Sequence, residues 1–424
     1  MAGKKKKKRI NIKRVLLSLF VLALIVIAPI FGWQQAMKIA NGNELANITQ
    51  VEEVKIPDDT TISIVAIGDV MCHAPNYQAA YNSSTKTYDF TPFFTNVVKY
   101  ITEGDVAIGN LETTFSGASR GYSGYPQFNS PSELGVAMKQ IGVDILSTAN
   151  NHCMDKGATG VVSTLDALDE IGLDHIGTNR SKEEQDTVLV KEINGIKIAF
   201  LSFTYGTNGI SVPSDKKYLV NLTDKTLMAE QIELAKEQEV DLICVSMHWG
   251  IEYAQKQNKE QEQLADFLFQ NGVDIILGNH AHVIQPMEMK KITLEDGTEK
   301  DVFVVYALGN FISNQPFPHT QATAILNLKV TKNGVTGKMS IDSADYVPAY
   351  VWNKGAGGKP RYELVDIRSA MAQYESGDTS KVSKSLYNTL KSELADIEKV
   401  LGKPIDNKAK KNEDTNTIIE TINQ

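Results

Sequence analysis

The sequence predicts an α/β protein: two packed mixed β-sheets flanked by helices, behind an N-terminal transmembrane helix. Three observations carry that expectation. From Thr61 onward, short β-branched apolar runs alternate with stretches of helical periodicity, the pattern of parallel strands joined through helices. Asn194–Gly195, Asp296–Gly297 and Asn333–Gly334 each sit between strand-like segments and call for hairpins, which add antiparallel strands to the parallel units. Val15–Trp33 contains no charged residue and directly follows a basic run.

The chain opens on that run, Lys4 to Arg9, followed by Lys13 and Arg14. A helix needs about 20 apolar residues to cross a bilayer, and Val15–Trp33 is close to that length. A basic flank stays in the cytoplasm, so residues 1–14 are expected inside and everything after Trp33 outside: a single-pass signal-anchor in the cell membrane. Ala36 and Ala40 mark where cleavage would fall if the segment acted as a signal peptide instead. Residues 34–60 are polar, with Asn41–Gly42 and Pro57, and read as a linker.

The globular body is expected over 61–360. Its strand-like runs are SIVAIGD, DVAIGNLE, VDILSTANN, DLICVSMHWG and VDIILGNH. Between them Pro131–Ile141, Ala158–Ile171 and Lys259–Gln270 have helical spacing, each with a glycine stop close behind. From residue 361 to 424 the chain reads as an accessory helix, VSKSLYNTLKSELADIEKVL, and a polar tail.

Charge divides unevenly. Residues 1–14 hold eight basic and no acidic residues, so of the net −8 the remainder carries −16. An acidic body argues against nucleic acid as a partner. Three cysteines, Cys72, Cys153 and Cys244, make no disulfide framework.

Polar residues cluster where the apolar runs end: Asp69, then Asn110 and Glu112, Asn151 and His152, His248, and finally His280 and His282. Ligand sites of open α/β sheets lie outside the carboxyl ends of the strands, where these residues would converge. Singly, each has an ordinary explanation as a cap, a turn former or a hydrogen-bonded core histidine. Together they are costly to bury unless something compensates them, and a divalent cation would. On an extended segment His280 and His282 point the same way. Asp155 is spaced to cap or orient His152, and His73 could approach Asp69, whereas His175 and His319 read as structural or exposed. Gly117–Pro131 forms a loop in which Arg120, Tyr122 and Tyr125 could close over an anionic substrate.

In order along the chain stand GDVM (Gly68–Met71), GNLE (Gly109–Glu112), ANNHCMDKG (Ala149–Gly157), HWGIEY (His248–Tyr253), GNHAHVIQP (Gly278–Pro286) and ALGNF (Ala307–Phe311). This set closely resembles the CapA-type family of poly-γ-glutamate capsule synthesis proteins over 61–317. That family is related to the calcineurin-like metallophosphoesterases. The resemblance implies a metallophosphoesterase-like α/β/β/α sandwich holding one or two divalent ions (Mn, Zn, Fe or Mg). It matches Asp69 to the first metal-binding aspartate, Asn151 to an asparagine ligand, and His248 and His280 to ligands of one metal, with His282 on the other. His152 matches the histidine that acts as acid on the leaving group. The related phosphoesterases carry a histidine two residues after the first aspartate, where this chain has Met71. For their bridging aspartate the candidate here is Glu112, with Asn110 beside it.

Two functions follow as expectations. One is metal-assisted hydrolysis of an extracytoplasmic phosphoester or anionic envelope polymer such as poly-γ-glutamate, with His152 and Asp155 catalytic. The other is a non-catalytic accessory role in polymer synthesis or export, beside membrane proteins of that machinery.

Overall fold

The computed structural model describes residues 57–355 and 361–407. The basic run, the apolar stretch 15–33, nearly all of the linker and the tail from 408 lie outside the described residues. Among the described residues, no helix is long and apolar enough to cross a membrane.

In chain order the strands are β1 (Thr60–Val70), β2 (Tyr81–Asn82), β3 (Thr87–Tyr88), β4 (Val106–Leu111), β5 (Ile145–Ser147), β6 (Asp174–Ile176), β7 (Leu189–Ile193), β8 (Ile196–Thr204) and β9 (Leu242–His248). They continue as β10 (Ile275–Asn279), β11 (Met287–Thr293), β12 (Glu299–Val305), β13 (Asn310–Ile312), β14 (Ala322–Lys332), β15 (Met339–Asn353), β16 (Tyr362–Asp366) and β17 (Ile405–Asp406). One sheet has the order β16-β15-β14-β1-β4-β5-β6, with β13 beside β1 and β17 beside β15; the other has the order β11-β12-β10-β9-β8-β7. β1, β4, β5 and β6 are mutually parallel, as are β8, β9, β10 and β12. The three glycine turns do close hairpins, β7–β8, β11–β12 and β14–β15.

Side-chain alternation explains the layers. Ile62, Ile64 and Ala66 of β1 face Phe200, Cys244, Leu277 and Val305 of the other sheet in one inner core. The intervening Val65 and Ile67 turn outward to Phe94, Leu134 and Met138. On the second sheet Leu201, Val245, Ile276 and Val304 turn outward to Ile232 and Leu268, on the helices Lys225–Glu237 and Lys259–Gln270. Strands buried on both faces therefore read as unbroken apolar runs in the sequence.

The helix expected over Pro131–Ile141 spans Glu133–Gln140, and that expected over Ala158–Ile171 spans Gly157–Ile171. The boundary expected at residue 360 falls inside the fold. Tyr362–Asp366 pairs with β15, and Leu386, Leu390, Ile397 and Leu401 of the helix Lys384–Leu401 join the inner core. Each such buried leucine or isoleucine contributes roughly 1.5–3 kcal/mol, so this helix belongs to the body and is not an appendage.

Candidate metal centre

Because β1, β4, β5, β9 and β10 run parallel within their sheets, each sheet delivers its functional side chains at carboxyl ends. Asp69 is the penultimate residue of β1, at a register irregularity that re-aims its side chain, and it lies opposite Asn110 of β4. A Cβ on the preceding Gly68 would stand 1.9 Å from the Gly309 carbonyl oxygen, so only glycine allows this approach of two backbones. Glu112 follows directly after β4, and His248 is the last residue of β9. β5 stops at Ser147, so Asn151 and His152 stand in the turn beyond it and not on the strand.

His280 and His282 converge, but not as an extended segment would bring them. β10 ends at Asn279, and the two histidines have φ of 91° and 58°, a left-handed backbone that non-glycine residues adopt at a cost. Their convergence comes from that turn and not from strand alternation.

The resulting geometry is tight. Asp69 Oδ1 accepts from Asn110 Nδ2 at 2.8 Å, and Asp69 Oδ2 lies 3.2 Å from His282 Nδ1. Asn310 Oδ1 lies 3.1 Å from the same Nδ1, which leaves His282 Nε2 facing inward. That Nε2 and His248 Nε2 each stand 3.7 Å from Glu112 Oε1, and Asn151 Oδ1 lies 3.0 Å from His248 Nε2. Asn208 Oδ1 accepts from Asn151 Nδ2 at 3.2 Å and so fixes the amide with its oxygen inward.

Glu112 is 0% exposed, yet neither of its carboxylate oxygens has a hydrogen-bond partner, and His280 Nδ1 has none either. Burial, and then the charge of Asp69, push the Glu112 carboxyl well above the usual carboxylate range. Burial also holds His248 and His280 below the usual imidazole range, His280 at about 3. A buried carboxylate with no partner for either oxygen, set among histidines of which one keeps an unpartnered Nδ1, is what a divalent cation satisfies. Glu112 with His248 and His280, and Asp69 with Glu112 and His282, each place ligand atoms within 4.8 Å of one another. The donor set fits such an ion.

His152 lies beside this cluster with a different environment. Its Nδ1 is 2.8 Å from Asp155 Oδ2, and its ring meets Phe128 edge-on at 4.7 Å between centroids. Asn208 Nδ2 approaches His152 Nε2 at 3.4 Å, which assigns the proton to Nδ1 and a lone pair to Nε2. Asp155 also accepts from the Phe128 amide at 2.6 Å, so it orients the imidazole and the loop together.

Of the expected substrate loop, Gly124 lies against His73, while its three singled-out side chains differ in their surroundings. Arg120 donates to the Lys156 carbonyl and to Thr159 Oγ1, contacts that close its own loop. Tyr122 packs against Tyr77 and Tyr88, while Tyr125 is 76% exposed. His175 pairs with Asp169, and His319 with Glu393 and Asp396. All three cysteines are buried, and burial raises the Cys72 and Cys153 thiols to about 12, far from reactive. Sequence reasoning assigned no role to Asn310, Asn208, Tyr205 or Glu252. Tyr205 covers His280 at 4.5 Å between centroids. Asn310 had a signal, its place in ALGNF, whereas Asn208 and Tyr205 lie outside every motif.

His73 serves the neighbourhood structurally: its Nδ1 accepts from the Asn314 amide at 3.2 Å. Burial, then His282 and His152, push its pKa down to about 4. The unfolded residue titrates near ~6.5, so stability from keeping it neutral is fully present above that pH and lost as pH falls toward 4. We predict that the urea midpoint of metal-free protein drops across this window, and drops less in His73→Asn. An identical drop in both would remove His73 from the account.

The model of the family described as bacterial capsule synthesis protein PGA_cap matches residues 63–315. The capsule biosynthesis protein CapA of Bacillus anthracis is 27% identical over 339 residues, 78% of this chain and 75% of that protein. The PGA biosynthesis protein CapA of Bacillus subtilis is 26% identical over 347 residues, 81% of this chain and 83% of that protein. Among solved structures, the calcineurin-like phosphoesterase YfkN of Bacillus subtilis superposes with a TM-score of 0.41 at 17% identity, over 79% of this chain and 99% of that one.

Proposed function

The chain belongs to the bacterial capsule synthesis protein family PGA_cap, and from that premise we propose that it is a membrane-anchored, metal-dependent hydrolase working outside the membrane on a capsule or poly-γ-glutamate intermediate. The observation that carries the reading is Glu112, a fully buried carboxylate with both oxygens unpartnered, ringed by histidines. Asp69, Glu112, Asn151, His248, His280 and His282 are the residues that would hold one or two ions, with Asn110 and Asn310 orienting Asp69 and His282. When bound, a divalent ion supplies Lewis acidity to a water and to a phosphoryl or amide oxygen.

The chain's own contribution to bond breaking is proton handling. His152, with Nδ1 tied to Asp155, has Nε2 available to carry a proton to a leaving oxygen or nitrogen. Asp155 keeps the ring in one tautomer and stabilises the imidazolium once that proton is on. Tyr205, tilted against His280 with 4.5 Å between ring centroids, narrows water's access to the cluster.

Anchoring is supported by the basic run Lys4–Arg9 ahead of the apolar stretch Val15–Trp33. An exported body carrying −16 repels a polyanion in bulk, so contact with an anionic polymer is confined to the metal centre and depends little on salt. Partners within the membrane belong to polymer synthesis or export.

The test is turnover by full-length protein in detergent with Mn²⁺, on phosphomonoester, phosphodiester and poly-γ-glutamate substrates. Hydrolysis of at least one, lost on chelation, is the expected outcome. Full metal occupancy with no turnover on any of them would instead place the protein as a binding accessory of the polymer machinery.

A further inference from the structure

A carboxylate outside the six proposed ligands faces the same cluster. Glu252, in the turn that follows β9, places an oxygen within 4.8 Å of ligand atoms of His280 and His282, which also lie that close to each other. An exposed glutamate near histidines is by itself commonplace, and two further observations separate this one from the ordinary case.

The first is His280. The residue is 3% exposed, and its Nδ1 has no hydrogen-bond partner. A buried imidazole nitrogen without a partner costs free energy unless a ligand is bound there, and Glu252 belongs to the same triad. The second is how the glutamate's turn is held. The Tyr253 amide donates to the Ala281 carbonyl at 2.7 Å, between the two histidines. Gln285, which is fully buried, donates through Nε2 to the Ala254 carbonyl at 2.7 Å. Tyr253 itself takes φ of 66°, a strained conformation for a tyrosine, immediately after Glu252. The fold thus fixes the backbone of Glu252 to the segment that carries His280 and His282, although the side chain faces solvent.

The donors inside the cluster are also unequally distributed. Glu112, His248 and His280 form one group, beside which Asn151 places an oxygen 3.0 Å from His248 Nε2, while Asp69, Glu112 and His282 form a second group without that addition. A carboxylate at the His280–His282 edge adds a donor beside one histidine of each group. It also shifts the balance toward oxygen, which favours Mn²⁺ or Mg²⁺ over softer ions.

We propose that Glu252 is a metal ligand of this centre, reaching it from the solvent side at the edge formed by His280 and His282. The proposal rests on the metal-centre reading above and adds a ligand to it. As the one exposed donor of the set, Glu252 is also the one an incoming anionic group can displace without unpacking the core.

The test compares full-length wild-type protein with Glu252→Gln, using Mn²⁺ affinity by equilibrium dialysis and the visible absorption of bound Co²⁺. The variant is expected to bind Mn²⁺ at least ~10-fold more weakly. Its Co²⁺ bands should move in position and intensity, which loss of a distant charge would not produce. Wild-type protein that binds both ions, with a variant matching it in affinity and spectrum, would overturn the assignment of Glu252 alone. Wild-type protein that binds neither ion would overturn the metal centre and this ligand with it.

Discussion

Glu112→Gln is expected to stabilise the metal-free protein near pH 7 by roughly 1–3 kcal/mol while abolishing its stabilisation by Mn²⁺. The two effects have one cause. Glu112 is buried with no partner for either oxygen, so ionising it inside the fold is costly and its carboxyl titrates well above the ordinary range. The folded state therefore holds the proton more tightly than the unfolded state does. Its penalty is absent below about pH 4.3, where both states are protonated, and grows as pH rises toward the folded value. A glutamine of the same shape never ionises, so the gain should be seen near pH 7 and vanish near pH 4. With free ion at ~100 times its dissociation constant the wild type should gain about 2.7 kcal/mol, and the variant almost nothing. Urea unfolding at both pH values, with and without Mn²⁺, reads all of this. A variant less stable than wild type at pH 7 without metal would show that Glu112 has a partner already.

The second large effect concerns rate and not metal. His152→Ala is predicted to lower kcat by about 10²–10⁴ while leaving Mn²⁺ affinity within a factor of two or so. His152 lies beside the cluster, with Nδ1 committed to Asp155, and belongs to none of the ligand groups of the centre. His280→Ala should do the opposite, losing metal first and activity as a consequence. If His152→Ala lost metal to the same degree as His280→Ala, the separation of proton handling from ion binding would be wrong.

Much of this was legible before any coordinates. The Asn-Gly and Asp-Gly pairs specify hairpins because their backbones tolerate the turn that the strand twist requires, and all three formed. Asp69, Glu112 and His248, which the fold brings together, were legible as candidates because a polar side chain at the end of an apolar run must be compensated. Other features depend on tertiary contacts that no local pattern encodes. His280 and His282 meet through left-handed backbone, which the alternation rule for strands does not describe. Glu252 stands in HWGIEY, yet its approach to the two histidines emerges only once Tyr253 is seen bonded to Ala281. Arg120 looked like an anion contact because its loop is rich in glycine, yet its guanidinium closes that loop on Lys156 and Thr159. The charged C-terminal stretch resembled an appendage because only one face of its helix is apolar, and that face is the one packed into the inner core.

On the proposed reading, the buried carboxylate and imidazoles around Glu112 hold a cation. The most direct measurement is a crystal structure of the protein grown with Mn²⁺, with anomalous scattering recorded at the manganese edge. An anomalous peak within coordination distance of Glu112, His248 and His280, with Asn151 among the ligands, is the expected result. Diffraction showing no peak there, with Glu112 instead hydrogen-bonded through ordered water, would contradict it.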